Sequence, residues 1–244
     1  MNDMVDIVLC RPEGPRACSA CCGCFNLLDI SRESVTAFLK QGSGRVRSTD
    51  SGISSERLPG TRDTTTHVCP YQGLDAAALP GCLLHPSITG ADGRGASLYG
   101  ERICEEFFCP AHYLLDEGAK RLLLAMASDW YRYSVAIIDP LGFVWMLDQV
   151  YAGDGFASRP ERSSDAIADA VNAALEAHAT FLNGVKGPIF HYSRSEYMLD
   201  YHRFSPASGS PETEAHRRSL REYLSGSVGR VQSSDDIHDL ADPL

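Results

Sequence analysis

Lysine is scarce in this sequence: Lys40, Lys120 and Lys186 stand beside 19 arginines, and 32 acidic residues against 22 basic ones leave a net charge of −10. A protein that binds nucleic acid by releasing counterions carries the opposite balance, so no nucleic-acid partner is expected. Long apolar runs are missing too. The richest, Leu122 to Ala127, is far short of the ~20 residues that cross a bilayer, and no membrane partner is expected. The start, Met1-Asn2-Asp3-Met4-Val5-Asp6, has neither the basic residues nor the apolar stretch of an export signal, which points to a cytoplasmic localisation. Gly90, Gly93 and Gly95 are not followed by the Lys-Ser/Thr of a P-loop. No C-x3-C-x2-C triad of the radical S-adenosylmethionine type is present. The apolar fraction of 43% over 244 residues still allows a real core in one or two domains.

What the sequence has in excess is cysteine, nine in all, and every one lies at or before Cys109. Stable structural disulfides are rare in a reducing compartment, so this density points to metal. Cys18, Cys21, Cys22 and Cys24 put four thiols into seven residues. A C-x2-C step lets two sulfurs turn back on one ion, whereas adjacent Cys21 and Cys22 tend to point apart, so some of the four must bind elsewhere or bridge. Cys69, Cys82, Cys104 and Cys109 form the second set, in His67-Val68-Cys69-Pro70-Tyr71, Gly81-Cys82-Leu83-Leu84-His85-Pro86 and Cys104-x4-Cys109-Pro110. Eight thiols suffice for two four-ligand ions or for one iron–sulfur cluster with thiols to spare. His85, in C-x2-H spacing from Cys82, joins the candidate ligands. His67 and His112 are read as surface or outer residues whose direct ligation stays open. Cys10 stands apart as a bystander and the candidate free thiol. The competing account, buried reduced cysteines acting as small hydrophobes, fits this spacing poorly.

Along the chain, Ser31 is the expected N-cap of a short helix, with Ile30 and Val35 as its hydrophobic staple and Gly42 as its stop. Gln41 to Thr66 reads as a long polar loop. Residues 67–112 show too little periodicity to build a core from aliphatic packing, which bound metal would offset. From residue 117 the pattern turns helical: one helix over 117–138 ending at Asp139-Pro140, a segment Phe143–Tyr151 ambiguous between strand and helix, and a clear helix over 164–183. A weaker helix is placed over Ser195–Phe204, and a last one starts at Ser210-Pro211-Glu212 and ends by Gly226. Trp130, Tyr131, Tyr133, Phe143 and Trp145, like His191, Tyr192, Tyr197, Tyr201 and His202, are read as packing residues. Glu105 and Glu106 are read as a solvated acidic pair. Arg217, Arg218 and Arg221 are read as forming salt bridges or meeting a protein partner.

The order of dense N-terminal cysteines, short helix, Cys69-Pro70-Tyr71, Gly81-Cys82-Leu83-Leu84-His85 and Cys104-x4-Cys109-Pro110 resembles the CxxCxxCC zinc- or iron-chelating domain family over roughly residues 17–112. The chain departs from that pattern in its first motif, where Cys24 follows the Cys21-Cys22 pair. The family's relatives include flagellin lysine N-methylases. Resemblance to those implies an iron–sulfur protein with methyl transfer from S-adenosylmethionine.

The sequence thus predicts a mainly α fold with an irregular cysteine-rich metal-binding lobe and little β. Its expected parts are a metal-binding lobe over 1–112, a helical lobe over 113–225 and a flexible acidic tail over 226–244. Its expected property is an iron–sulfur or multinuclear iron/zinc centre held by Cys18, Cys21, Cys22, Cys24, Cys69, Cys82, Cys104, Cys109 and His85, supporting redox or transferase chemistry. The alternative is a zinc-stabilised protein-interaction module without catalytic activity.

Overall fold

The structure is a computed structural model that describes residues 7–12, 14–47, 68–97, 104–105, 108–151, 165–185 and 210–238. The expected helix over Ser195–Phe204, most of the polar loop, and His67 lie outside these residues. The fold is mainly helical, with one small antiparallel pair of strands among the described residues.

Helix α1 (Arg32–Arg47) begins as its sequence directs. Ser31 Oγ accepts from the Ser34 N–H at 3.3 Å, and Ile30 and Val35 are both fully buried beside it, the staple arrangement. Gly42 does not end the helix. It sits mid-helix where α1 crosses strand β1 (Gln72–Leu74), and a Cβ there would lie 1.9 Å from the Gln72 carbonyl oxygen. Ser43 Oγ accepts from the Leu74 N–H at 2.7 Å on the same crossing. β1 pairs with β2 (Pro80–Cys82) in the register Gln72↔Cys82, Gly73↔Gly81, Leu74↔Pro80. Asp75 Oδ1 holds the turn between them by accepting from Ala77 N and Leu79 N. Helices α2 (Pro86–Thr89) and α3 (Pro110–Leu114) are single turns.

The helical layer follows: α4 (Glu117–Met126), α5 (Trp130–Ile138), α6 (Pro140–Val150), α7 (Asp165–Gly184) and α8 (Pro211–His238). The single helix expected over 117–138 is two. Asp129 caps α5 through the N–H groups of Tyr131 and Arg132 at 2.8 and 3.0 Å, which starts a new helix rather than continuing the old one. Asn172 of α7 fills the break. Its Nδ2 donates to Met126 O at 2.7 Å, and its Oδ1 accepts from Ser128 N at 3.1 Å.

Asp139-Pro140 stops α5 and at once starts α6, because Asp139 Oδ1 accepts from Gly142 N at 3.0 Å with Pro140 at the first position. This resolves the segment Phe143–Tyr151 as helix. α8 runs on past Gly226 to His238. No helix among the described residues is long and apolar enough to cross a membrane.

One hydrophobic cluster takes in both halves of the chain, from Leu9, Phe25 and Ile30 to Leu175 and Leu224. Tyr131 and Tyr133, read as packing residues, are buried and also carry hydrogen bonds. Their hydroxyls donate to the carbonyls of Ile30 at 2.7 Å and Leu9 at 2.8 Å. Arg221 donates to Gln149 Oε1 at 2.9 Å and lies over the Trp145 ring.

Between α7 and α8, His178 Nε2 meets the Asp139 carboxylate at 2.8 Å, and His178 Nδ1 meets His216 Nε2 at 3.0 Å. Burial, with His178 and Arg217 nearby, lowers the His216 pKa from 6.5 to about 4, against the weaker opposing pull of Asp139.

Two outcomes follow from these contacts. Gly42→Ala forces backbone against backbone and destabilises the fold by about 1–3 kcal/mol, read as a lower urea midpoint. For His216, the folded state holds the neutral ring below the pH at which the unfolded chain protonates. Its stabilisation is therefore present above about pH 6.5 and lost as pH falls toward 4. Melting temperature measured from pH 7 to 4.5 declines, and it declines less steeply in His216→Phe.

Candidate metal centre

Two 3-10 turns, Ala20–Cys22 and Cys24–Asn26, carry the first cysteine cluster. They are joined at Gly23, whose φ of 94° lies in the left-handed region that suits glycine. The reversal sends neighbouring thiols to different places. Cys18, Cys21 and Cys22 line a cavity of about 310 Å3, while Cys24 is buried in the core and donates to Ser19 O at 3.3 Å. Cys82, Cys104 and His85 line the same cavity from the other side. Cys69 and Cys109 are buried and are not among the lining residues. Cys10, expected to stand apart, lines the cavity as well.

The backbone explains how segments distant in sequence meet here. Cys18 N donates to Cys10 O at 3.1 Å, and Cys69 N donates to Cys22 O at 2.8 Å. Gln72, fully buried, is the clamp between them. Its Nε2 donates to Cys22 O at 2.9 Å and Cys69 O at 3.0 Å, and its Oε1 accepts from Ser19 Oγ at 3.0 Å. Because Gln72 is the register partner of Cys82, the same residue brings the strand pair to the first cluster. Arg94 donates to Cys104 O at 3.2 Å and pairs with Glu105 at 3.2 Å, so Glu105 of the acidic pair is tied to an arginine while still exposed. Ser97 Oγ and Cys104 Sγ stand 3.0 Å apart. Val8, Pro80, Ile88 and Phe108 supply the apolar part of the wall.

The electrostatics follow from this crowding. Burial raises the pKa of Cys18, Cys82 and Cys104 above the ordinary thiol value, and neighbouring sulfurs add to it. Cys10 and Cys24 are raised in the same way, and Cys109 is pushed up to about 11. Cys21 is the exception: a hydrogen bond from the Cys22 thiol holds it below the ordinary value, and the same bond pushes Cys22 up. Ala20 N donates to Cys18 Sγ at 3.3 Å, a bond that favours a thiolate there.

His85 caps α2: its Nδ1 lies 3.2 Å from Ser87 N, which donates to it, and 2.7 Å from Ser87 Oγ. As the acceptor of the Ser87 N–H, Nδ1 carries no proton and can also accept from Ser87 Oγ, so the neutral ring keeps its proton on Nε2. His112 stacks on Phe108 with ring centroids 4.4 Å apart and is not among the cavity's lining residues.

Among the described residues, no three of the histidine, cysteine and carboxylate side chains form a ready-made metal site. The donor set nevertheless suits a thiophilic cation. Thiols converge on one partly buried cavity whose wall also carries Arg11 and Arg94, and Arg94 favours the thiolates of Cys82 and Cys104. Sequence reasoning missed Cys10, Gln72 and Arg94. The signal for Cys10 is absent from its flanks, since its place depends on Tyr133 holding Leu9 from 124 positions away.

Gln72→Leu removes the clamp and leaves the Cys22 and Cys69 carbonyls without this donor, at about 1–3 kcal/mol for each buried group left unsatisfied. Alkylation of the cysteines by iodoacetamide under native conditions then proceeds faster than in the parent protein, by at least tenfold at Cys22 and Cys69. No family model, no curated protein and no solved structure matches this chain, so its function has to be argued from its own residues.

Proposed function

We propose that this chain is a cytoplasmic metal-binding protein whose clustered cysteines hold an iron–sulfur or multinuclear iron/zinc centre. One observation carries this reading: six thiols and one imidazole, from segments scattered between Cys10 and Cys104, line a single cavity. Burial first, and then the neighbouring sulfurs, oppose ionisation of Cys18, Cys82 and Cys104 and raise their pKa values. A bound cation reverses the sign of that interaction, because it replaces the protons and turns mutual repulsion into shared attraction. Metal binding of this kind contributes directly to folding, which suits a lobe with so little regular structure.

The metal would be held by thiols of the set Cys18, Cys21, Cys22, Cys82 and Cys104, with His85 at the rim and Cys24, Cys69 and Cys109 behind. Iron would supply redox or Lewis-acid chemistry there. The chain's own residues position the thiols, keep water from the inner ones and leave space beside them for a reactant. The resemblance to the CxxCxxCC family, and through it methyl transfer from S-adenosylmethionine, is part of this proposal. A second reading, a zinc-stapled interaction module, draws support from exposed apolar side chains near the cavity. Val8 is 47% exposed, Phe108 36%, Tyr113 66% and Leu114 38%, a surface suited to a protein partner.

Iron, zinc and acid-labile sulfide are measured per chain on protein purified without oxygen. Iron with matching sulfide is the expected result for a cluster. Zinc without iron or sulfide selects the interaction module, and protein that holds no metal overturns both readings.

A further inference from the structure

One wall of the thiol cavity is irregular chain. Residues 7–12 belong to no helix or strand, and three of them, Val8, Cys10 and Arg11, line the cavity. All three are also exposed to solvent. A residue that both lines a cavity and faces the solvent stands between the two, so this segment is an outer wall in front of the inner thiols. Leu9, between Val8 and Cys10, turns the other way and is buried in the core.

Three contacts hold the segment, and they differ in kind. Tyr133 Oη donates to Leu9 O at 2.8 Å, and Cys18 N donates to Cys10 O at 3.1 Å. The third is an ion pair between Arg11 and Asp75. Asp75 sits in the turn between β1 and β2, where its two oxygens have separate tasks. Oδ1 accepts from Ala77 N and Leu79 N, which leaves Oδ2 for the Arg11 guanidinium. Arg11 reaches it across β2, so close that a Cβ on Gly81 would stand 3.3 Å from Arg11 Nη1. Gly81 and Cys82 line the same cavity. The Arg11 side chain therefore ties the irregular wall to the strand pair that carries Cys82.

The three contacts are not equally durable. Breaking the Tyr133 bond leaves a buried donor and a buried acceptor unsatisfied. The Arg11 side chain is 36% exposed, so its ion pair can be exchanged for water and is screened by salt. Opening therefore begins at Arg11, while Leu9 keeps the segment attached to the core.

We propose that residues 7–12 are an access strap over the thiol cavity, latched by Arg11 on Asp75, and that parting of this pair admits thiol-seeking solutes to Cys18, Cys21, Cys22 and Cys82. That a metal ion is among those solutes rests on the reading above; the gate itself rests on the contacts of the strap.

The test is alkylation by iodoacetamide of the full-length protein, purified under anoxic reducing conditions and read cysteine by cysteine by mass spectrometry at low and high salt. Arg11→Gln removes the latch and leaves the turn bonds of Asp75 Oδ1 in place. Its four cavity thiols react about two- to fivefold faster than the parent's, the range that an exposed ion pair supports. Cys24, buried in the core, reacts at the parent's rate. Added salt speeds the parent and leaves Arg11→Gln unchanged, and Arg11→Lys, which keeps a cation for Asp75, returns to near the parent's rate. The direction of the change separates access from reactivity, because loss of a nearby cation lowers the thiolate fraction and by itself slows alkylation. If the cavity thiols of Arg11→Gln react no faster than the parent's, the strap is not a gate. If Cys24 accelerates in step with them, the ion pair acts on global stability and the proposal is equally wrong. Both results leave metal binding to be decided by the metal analysis, and a gated protein without iron or zinc keeps the strap while losing the metal centre.

Discussion

The geometry of the first cysteine cluster depends on two phenol hydroxyls that belong to another part of the chain. Residues 7–12 and 14–31 have no helix longer than a 3-10 turn, so local hydrogen bonding cannot fix where their sulfurs point. Tyr131 and Tyr133 do it from α5. They lie two positions apart on a buried helix, so they leave it in different directions, one reaching the Ile30 carbonyl and the other Leu9. Each bond is made where water is absent, so breaking it strands a buried donor and a buried acceptor together. The first cysteine cluster is therefore anchored at both of its ends to one rigid element. Phe25, fully buried between those anchors, packs on Tyr131 with ring centroids 6.0 Å apart.

The second cysteine set is held by another kind of contact. Here backbone meets backbone: α1 lies so close on β1 that only a glycine fits at position 42. The Gln72 carbonyl faces that helix while its side chain grips the first cluster. A residue with a long polar side chain, fully buried, is stable only because every one of its amide bonds has a partner. This couples helix packing to sulfur position without any cysteine taking part.

Much of the local structure could be read from the sequence because it depends on neighbours. The Ser31 cap, the staple of Ile30 and Val35, and the long helix ending at Gly184 all follow from residues within a few positions of each other. The break in the helical run was marked too, by Ser128-Asp129, but the apolar periodicity on either side masked it. Asp139 was legible as a stop and not as a start, since one carboxylate does both. What was not legible depends on contacts across the chain. Gly42 resembles any helix terminator until β1 is seen beneath it. Cys10 has the sequence surroundings of a bystander, and only the fold brings its thiol to the others. The chain of Asp139, His178 and His216 joins positions 39 and 38 residues apart, with no spacing rule to reveal it.

The separation of 124 residues between Leu9 and Tyr133 also sets an order of events during synthesis. At ribosomal speeds of roughly 5–20 residues per second, the anchor for the first thiols emerges on the order of ten seconds after them. For that interval the first cluster is outside the ribosome without its anchor, and the later cysteines join it one by one, Cys109 last and only 24 residues ahead of Tyr133. Until α5 has left the ribosome, the thiols of the first cluster therefore lack the contacts that set their directions.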